Sequence, residues 1–211
     1  MKPRRANLFT HILCLVPIIT ALVQFFLGRA TANPIQFFIH RLGRSSIYFL
    51  LLSLLCRPLF TITKMGMFMT FRKILGLYAF YYAFSHFLVF IFFDYELNFL
   101  WIIDEISQKP FLKIGLIALF GLAIMAITSF RKLRTKLGKH WNIIHKMVYG
   151  YALLIIIHIF QSSKGDYLQS LLLLLLLSIM LILRLPFVIA LQAEYSPAWL
   201  IKINAYFMKQ K

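Results

Sequence analysis

Two of the six histidines, His86 and His158, lie inside apolar segments, in the contexts AFYYAFSHFLVFIFF and LLIIIHIF. An imidazole surrounded by hydrocarbon loses its hydration, so a histidine in such a place usually has a specific partner and marks a functional site. Imidazole nitrogens bind metals and can also carry protons. These positions therefore indicate one of three chemistries: metal binding, hydrogen bonding between helices, or an ion or proton pathway.

The segments that hold these histidines are long enough to cross a membrane. The chain has 211 residues, 61% of them hydrophobic, and its mean hydropathy is +0.81. Because backbone polar groups in lipid must be paired within their own segment, such runs predict a helical bundle. We expect an all-α integral membrane protein, a single domain over residues 1–211. Its six predicted transmembrane helices cover residues 8–27, 46–63, 74–93, 112–130, 143–161 and 168–190.

The net charge of +17 is distributed unevenly along the chain. If the N-terminus is cytoplasmic, the outer segments hold only six of the 23 basic residues, namely Arg29, Arg41, Arg44, Lys109, Lys113 and Lys164. The other 17 then lie on the inner side, which is the positive-inside bias and argues against nucleic-acid binding. Both termini are therefore expected in the cytoplasm. Residues 191–211 are predicted to form a cytoplasmic tail, either an interfacial helix or a frayed end.

Helical rise places the two intramembrane histidines at a similar depth. His86 lies 14 residues beyond Arg72, and His158 lies 13 residues beyond His145, which corresponds to about 21 Å and about 20 Å. Spans three and five run in the same direction, so His86 and His158 are expected in the outer half of the bilayer. Arg72 and His145 are then expected to face each other in the inner half.

Haem fits the outer pair better than a metal held by protein ligands alone. Zinc normally takes four protein ligands, or three and a water, and the spans offer no carboxylate or thiolate at this level. Haem iron receives four ligands from its porphyrin and needs one or two axial ones. We favour a b-type haem between His86 and His158, with interhelical hydrogen bonds or a proton pathway as the alternatives. Span three adds aromatic residues for such a pocket: Tyr78, Phe80, Tyr81, Tyr82, Phe84 and Phe87.

The inner level holds a single histidine, His145, opposite Arg72. Arginine suits haem propionates, so the alternatives are a second, weakly ligated haem or an ordinary interfacial charge at Arg72. On an ideal helix His145 and His158 point about 140° apart. Both can face span three only if span five is wound irregularly, and Gly150 is the candidate for that irregularity.

The remaining side chains of possible interest receive ordinary interpretations. We expect His11 and His140 to be interfacial or solvated, and His40 to lie in the first outer loop. Cys14 and Cys56 lie in predicted spans and predict neither a disulfide nor a metal site. No internal repeat is evident. An acidic outer loop offers either a docking surface for a basic partner or mere solubilising charge: Asp94, Glu96, Asp104 and Glu105.

Four segments together resemble the MsrQ family, also called YedZ: RKILGLYAFYYAFSH (72–86), LGKHWNIIHKMVY (137–149), IHIF (157–160) and HRLGR (40–44). Its members are haem-binding membrane subunits of methionine sulfoxide reductase systems, related to the ferric reductase-like transmembrane domain of NADPH oxidases. The resemblance runs over nearly the whole chain. It implies His86 and His158 as axial ligands of an outer haem b, and His145 with Arg72 at a second haem toward the cytoplasm. The loop reads RLGR where relatives read FTGR.

The resemblance also implies partners and a location in the bacterial inner membrane. Electrons would pass to a periplasmic molybdenum-dependent enzyme, MsrP, which reduces methionine sulfoxide in oxidised proteins, so catalysis on that substrate resides in the partner. The quinone pool or a cytosolic flavin reductase would be the donor, and FMN is also associated with the family. The chain has no G-x-G sequence and no soluble extension for NADPH or FAD, so its donor must be another molecule.

Two other functions compete with this prediction. A stand-alone ferric or cupric reductase on the same scaffold would need no periplasmic protein. A small proton-coupled transporter would use the intramembrane histidines to carry protons. The scarcity of acidic residues in the spans, and of paired helices broken by glycine or proline, argues against the transporter.

Overall fold

The computed structural model of the protein describes residues 3–163, 165 and 167–194, and this part of the chain is helical, without strands. After α3, the chain continues as a π-helical turn over Phe90–Asp94. The helices are α1 (Pro3–Phe26), α2 (Pro34–Thr63), α3 (Met67–Val89), α4 (Phe99–Gln108), α5 (Pro110–Thr128), α6 (Arg131–Leu137), α7 (Lys139–Lys146), α8 (Val148–Ser162), α9 (Leu168–Ile182) and α10 (Pro186–Glu194).

Within the described residues, five helical segments are long and apolar enough to cross a membrane. The predicted helical membrane bundle is thus confirmed. The sixth predicted span, 168–190, is instead a 15-residue apolar helix, Leu168–Ile182, whose length of about 22 Å is shorter than a ~30 Å bilayer core. The count of six crossings and the cytoplasmic placement of both termini stay predictions. The five segments are Asn7–Phe26, Pro34–Thr63, Met67–Asp94, Pro110–Thr128 and Lys139–Ser162.

The second span begins 12 residues earlier than predicted, at Pro34 rather than at residue 46. The Asn33 side chain accepts a hydrogen bond from the Gln36 backbone N–H at 3.1 Å, and proline at the first helical position is already set for helical backbone angles. The HRLGR segment (40–44) is therefore helical. The prediction of a loop at His40 was wrong, because a capped start outweighed the polar composition.

The second outer connection also contains a helix that was not predicted. The Asn98 side chain caps α4 by accepting a hydrogen bond from the Trp101 N–H at 3.2 Å. One face of α4 is buried at Ile102, while aromatic and aliphatic side chains cover the exposed surface at Leu100, Trp101 and Ile103. Such an amphipathic helix suits the membrane interface, where tryptophan is enriched.

The core lies where α2 packs along α3 and where α5 packs along α8. Serine hydroxyls join the first pair, since Ser46 donates to the Ala79 carbonyl and Ser53 to the Arg72 carbonyl, both at 2.8 Å. Such bonds satisfy polar groups that lipid cannot hydrate. Both cysteines, Cys14 and Cys56, are buried and unpaired.

A tyrosine hydroxyl from α3 is inserted into the backbone ladder of α1 next to Pro17, the proline inside that helix. Tyr82 accepts a hydrogen bond from the Ile18 N–H at 3.3 Å and donates one to the Cys14 carbonyl at 2.8 Å. A helix would normally pair these two backbone groups directly. The hydroxyl therefore ties α1 to α3.

Of the predicted tail over 191–211, residues 195–211 lie outside the described part of the chain.

Candidate functional site

The structure brings His86 of α3 and His158 of α8 together, as their predicted depth indicated. The two ring centres are 6.3 Å apart, and the ring planes are nearly perpendicular, at 86°. Helix α3 packs mainly against α2, and α8 mainly against α5. The two imidazoles therefore project toward each other from the two helix pairs that form the core.

Each imidazole is held by a backbone carbonyl of the neighbouring helix. His86 Nδ1 lies 2.8 Å from the Ile39 carbonyl oxygen, and His158 Nδ1 lies 2.8 Å from the Phe111 carbonyl oxygen. A carbonyl oxygen only accepts, so both Nδ1 atoms carry the proton and both Nε2 atoms have a free lone pair. Within the described residues neither Nε2 has a hydrogen-bond partner. Both rings are thus in the tautomer that metal-binding histidines adopt.

Each ring also lies against a glycine on that neighbouring helix. A Cβ atom at Gly43 would be 3.1 Å from His86 Nδ1, and a Cβ at Gly115 would be 2.8 Å from His158 Nδ1. These distances are shorter than ordinary van der Waals contacts, so a larger residue at either position would displace the ring from its carbonyl. Neither Gly43 nor Gly115 was predicted to be part of the site.

These paired features reveal an internal repeat, and the expectation of none was wrong. In both halves the histidine bonds to the carbonyl 47 residues before it. The two glycines and the two histidines are each separated by 72 residues. The same offset relates TKMG (63–66) to TKLG (135–138). The helix pairs α2–α3 and α5–α8 are thus two copies of one unit, and the equal glycine-to-histidine spacing was the signal that could have shown it.

The packing inside the two copies differs in a compensating way. In the second copy, a Cβ at Gly121 of α5 would be 2.3 Å from the ring of Tyr151 of α8. The residues at the same places in the first copy are Phe49 and Ala79, both buried. The large side chain comes from the second helix of one copy and from the first helix of the other. This exchange of volume keeps both helix pairs close.

The inner histidine, His145, is held differently. The Thr128 hydroxyl oxygen lies 2.8 Å from the Ile124 carbonyl oxygen and 3.1 Å from His145 Nε2. In contrast to the outer pair, His145 thus has its Nε2, and not its Nδ1, in a hydrogen bond within the described residues. The ring also stacks on Trp141, with centres 4.1 Å apart. The positive charge of Arg72 acts on this ring, and a shared site of the two residues stays a prediction.

The irregularity predicted in span five exists, but at another residue. Helix α7 ends at Lys146, and Met147 N–H bonds to the Ile144 carbonyl three residues back. Helix α8 then begins at Val148. Gly150 lies within α8, so the prediction of a break at Gly150 was wrong.

The other histidines are exposed: His11, His40 and His140. His11 Nδ1 lies 3.2 Å from the Tyr78 hydroxyl. In the acidic outer loop, Asp94 accepts hydrogen bonds from the Gln36 side chain. Hydrogen bonds from Lys109 and Tyr95 hold the pKa of Glu105 below its usual value. Much of this acidic charge is therefore engaged within the chain.

The outer pair meets the distance requirement of a metal with two axial imidazoles. Metal–imidazole bonds are about 2.0–2.1 Å long, so two of them in line separate the ring centres by about 6 Å. The observed separation is 6.3 Å. Across the described residues there is no group of three or more histidine, cysteine, aspartate or glutamate side chains that could hold a metal. Two ligands suit a metal centre that brings the rest of its own ligands, as haem does.

Comparison with known proteins defines the class. A family described as "Ferric reductase like transmembrane component" matches residues 42–156, more than half of the chain. The chain is 38% identical over 153 residues, 71% of its length and 69% of the relative's, to "Protein-methionine-sulfoxide reductase heme-binding subunit MsrQ" of Brucella anthropi. It is 35% identical over 166 residues, 77% and 75% of the two lengths, to the protein of the same name in Brucella ovis. The chain belongs to the MsrQ family of ferric reductase-like transmembrane components.

Proposed function

We propose that this membrane redox subunit binds haem b and carries electrons across the bacterial inner membrane to a periplasmic MsrP-like molybdenum-dependent methionine sulfoxide reductase. The observation that carries the proposal is the pair His86 and His158, with facing rings 6.3 Å apart and both Nδ1 atoms bonded to carbonyls. The names of the relatives, which are haem-binding subunits, support it. Haem, when bound, supplies one-electron redox chemistry between its ferric and ferrous forms.

The chain's own residues would orient and tune the axial ligands. The bonds from Nδ1 to Ile39 and Phe111 fix both ring orientations and raise the basicity of Nε2. Gly43 and Gly115 let the rings reach these carbonyls. Each of these features is a means by which a protein sets a redox potential.

His145 and Arg72 are the residues that would hold a second haem on the inner side. Iron binding through His145 Nε2 would require this nitrogen to release its hydrogen bond to Thr128. Arg72 would then neutralise a propionate. The inner site therefore differs from the outer one in its number of histidine ligands and in the hydrogen bond that the ligand nitrogen must first release. A count of one or of two haems per chain shows whether the inner site is empty or filled.

Donor and acceptor lie on opposite sides in this proposal. The basic side faces the cytoplasm and receives electrons from the quinone pool or from a cytosolic flavin reductase, with FMN as a further cofactor. The outer side, where His86 and His158 lie, faces the periplasmic enzyme. The relatives' names support a partnership with a methionine sulfoxide reductase.

The test is the dithionite-reduced minus oxidised visible spectrum of the detergent-purified protein, with haem counted per chain. We expect b-type bands that are lost in His86→Ala and in His158→Ala and kept in His11→Ala, whose ring is exposed on α1. Bands that persist in both intramembrane variants would refute the ligand assignment.

A second candidate, a stand-alone ferric or cupric reductase, is favoured by the family description alone. The two functions differ in what the reduced protein needs for reoxidation. Rapid reoxidation by a periplasmic molybdoenzyme, and slow reoxidation by ferric or cupric chelates, supports the proposed function. The opposite order supports the second candidate.

A further inference from the structure

A proline in α2 leaves one backbone carbonyl of that helix without its usual partner. Pro58 lies inside α2 and has no N–H, so it cannot donate to the Leu54 carbonyl four residues back. Arg184, in the turn that follows α9, donates Nη2 to this carbonyl instead. The arginine is thereby anchored between α9 and α2 at the predicted inner end of the bundle.

The remaining donors of Arg184 have no partner. Its guanidinium carbon lies 5.0 Å from the ring centre of Tyr149, so both the Leu54 carbonyl and the Tyr149 ring position the guanidinium group. Nε and Nη1 are buried and, within the described residues, make no hydrogen bond. A buried donor left unpaired costs about 1–3 kcal/mol, and more when it is charged. Two unsatisfied donors of a buried cation indicate an acceptor that the described residues do not provide.

Two more cations act on Arg184, and among the side chains that the structure describes no acid pairs with any of the three. These are Arg72 of α3 and Arg57 of α2, whose charges act on the Arg184 guanidinium. Among the described residues the one ion pair joins Glu105 and Lys109, in and beside α4 at the other end. Like charges gathered in a partly buried place repel strongly unless an anion lies among them.

We propose that Arg184, Arg72 and Arg57 form an anion-binding site for an oxyanion, a carboxylate or a phosphate, where the turn after α9 meets α2 and α8. Arg184 supplies Nε or Nη1 at the buried end, and the exposed Arg57 forms the rim. Guanidinium groups suit both oxyanions. Two sources have this chemistry: the propionates of an inner haem and the phosphate of a lipid headgroup. The propionate case rests on the proposed function, and the lipid case does not.

The experiment compares Arg184→Gln with Arg131→Gln in the purified holoprotein. Arg131 begins α6 on the same predicted side and is exposed, so it controls for the loss of one positive charge. Two quantities are measured on each protein: the midpoint potentials of its haems by spectroelectrochemical titration, and the phosphate that remains bound per chain after exhaustive detergent washing.

If the anion is a propionate, loss of the Arg184 charge favours the oxidised haem. We then expect at least a tenfold fall in the ratio of reduced to oxidised haem at fixed potential, which is about 59 mV for one electron. If the anion is a lipid phosphate, about one phosphate per chain is retained by the wild type and lost in the variant, while the haem titration is unchanged. In both cases Arg131→Gln behaves as the wild type.

Arg57→Gln, at the exposed rim, should change the same quantity, haem potential or bound phosphate, by a smaller amount. It tests the anion site if Arg184→Gln does not fold. Unchanged potentials together with unchanged bound phosphate in these variants would overturn the proposal. A wild type that contains no haem would refute the proposed function, and the phosphate measurement would then decide the anion site by itself.

Discussion

Gly115→Ala should displace the His158 ring without changing any side chain of the proposed haem site. The added Cβ would lie 2.8 Å from His158 Nδ1 and 2.9 Å from Cε1, whereas ordinary contacts begin at 3.4 Å. The ring must therefore move by about 0.6 Å. Such a shift stretches its 2.8 Å bond to the Phe111 carbonyl beyond the usual limit of about 3.2 Å.

The cost of this change follows from its two parts. Overpacking costs about 1–3 kcal/mol, and the lost hydrogen bond costs about 0.5–1.5 kcal/mol. Together they predict a haem affinity lower by roughly ten- to a thousand-fold, since about 1.4 kcal/mol corresponds to tenfold. Gly43→Ala should be milder, because its Cβ would lie 3.1 Å from His86 Nδ1.

The assay is haem retention against a competing apo-haem protein, followed by visible absorbance. Gly150→Ala is the matched control, because it lies on the same helix as His158 and no described atom comes within 4 Å of its added Cβ. We expect Gly115→Ala to lose the most haem and Gly43→Ala to lose less. Gly150→Ala should retain haem as the wild type does. Wild-type retention in Gly115→Ala, or a reversed order, would refute the reasoning that the glycines position the ligands.

Three further predictions concern other parts of the chain. Thr128→Val removes the hydroxyl that is hydrogen-bonded to His145 Nε2. Because Nε2 is then free to bind iron, we expect more inner haem per chain by pyridine haemochrome assay, and a fall would contradict a ligand role for His145 Nε2. Tyr82→Phe leaves two backbone groups of α1 without their shared partner and should lower the free energy of unfolding by about 1–3 kcal/mol in thermal unfolding. Tyr81→Phe, the control on an exposed side chain, should not lower it. Equal melting temperatures of the two variants would argue against the hydrogen bonds between Tyr82 and α1. Hydrogen bonds from neighbouring lysine and tyrosine side chains lower the Glu105 pKa. The ionised Glu105 therefore stabilises the fold above the unfolded pKa of about 4.3, and this contribution is lost as the pH falls through the lower folded pKa. Glu105→Gln should remove this part of the acid dependence of unfolding, and an unchanged pH profile would show that the hydrogen bonds of Glu105 contribute nothing to stability.

Hydropathy and helical rise predicted most of what positions the site. The runs around His86 and His158 were long enough to fix two spans, and a constant 1.5 Å rise then determined the relative depth of the two rings. Residue types alone also indicated two axial ligands rather than a protein-only metal site, which stays a prediction. The arguments on spans and depth succeed because a long apolar segment in lipid pairs its backbone groups within a helix, so depth follows from counting residues.

The parts that were missed depend on contacts between helices. The carbonyls of Ile39 and Phe111, and the glycines that admit the rings, act through backbone positions that hydropathy does not register. The early start of α2 required the Asn33 cap to outweigh a polar segment. Arg184 looked like one more inner basic residue, because its significance depends on a carbonyl freed by Pro58 on a distant helix.

The most direct test of the central claim is a low-temperature electron paramagnetic resonance spectrum of the oxidised, haem-loaded protein. Axial ligation by His86 and His158, with ring planes at 86°, predicts the strongly anisotropic low-spin ferric signal that perpendicular imidazole planes produce. A high-spin signal alone, or the rhombic low-spin signal of parallel planes, would contradict ligation by this pair in the observed geometry.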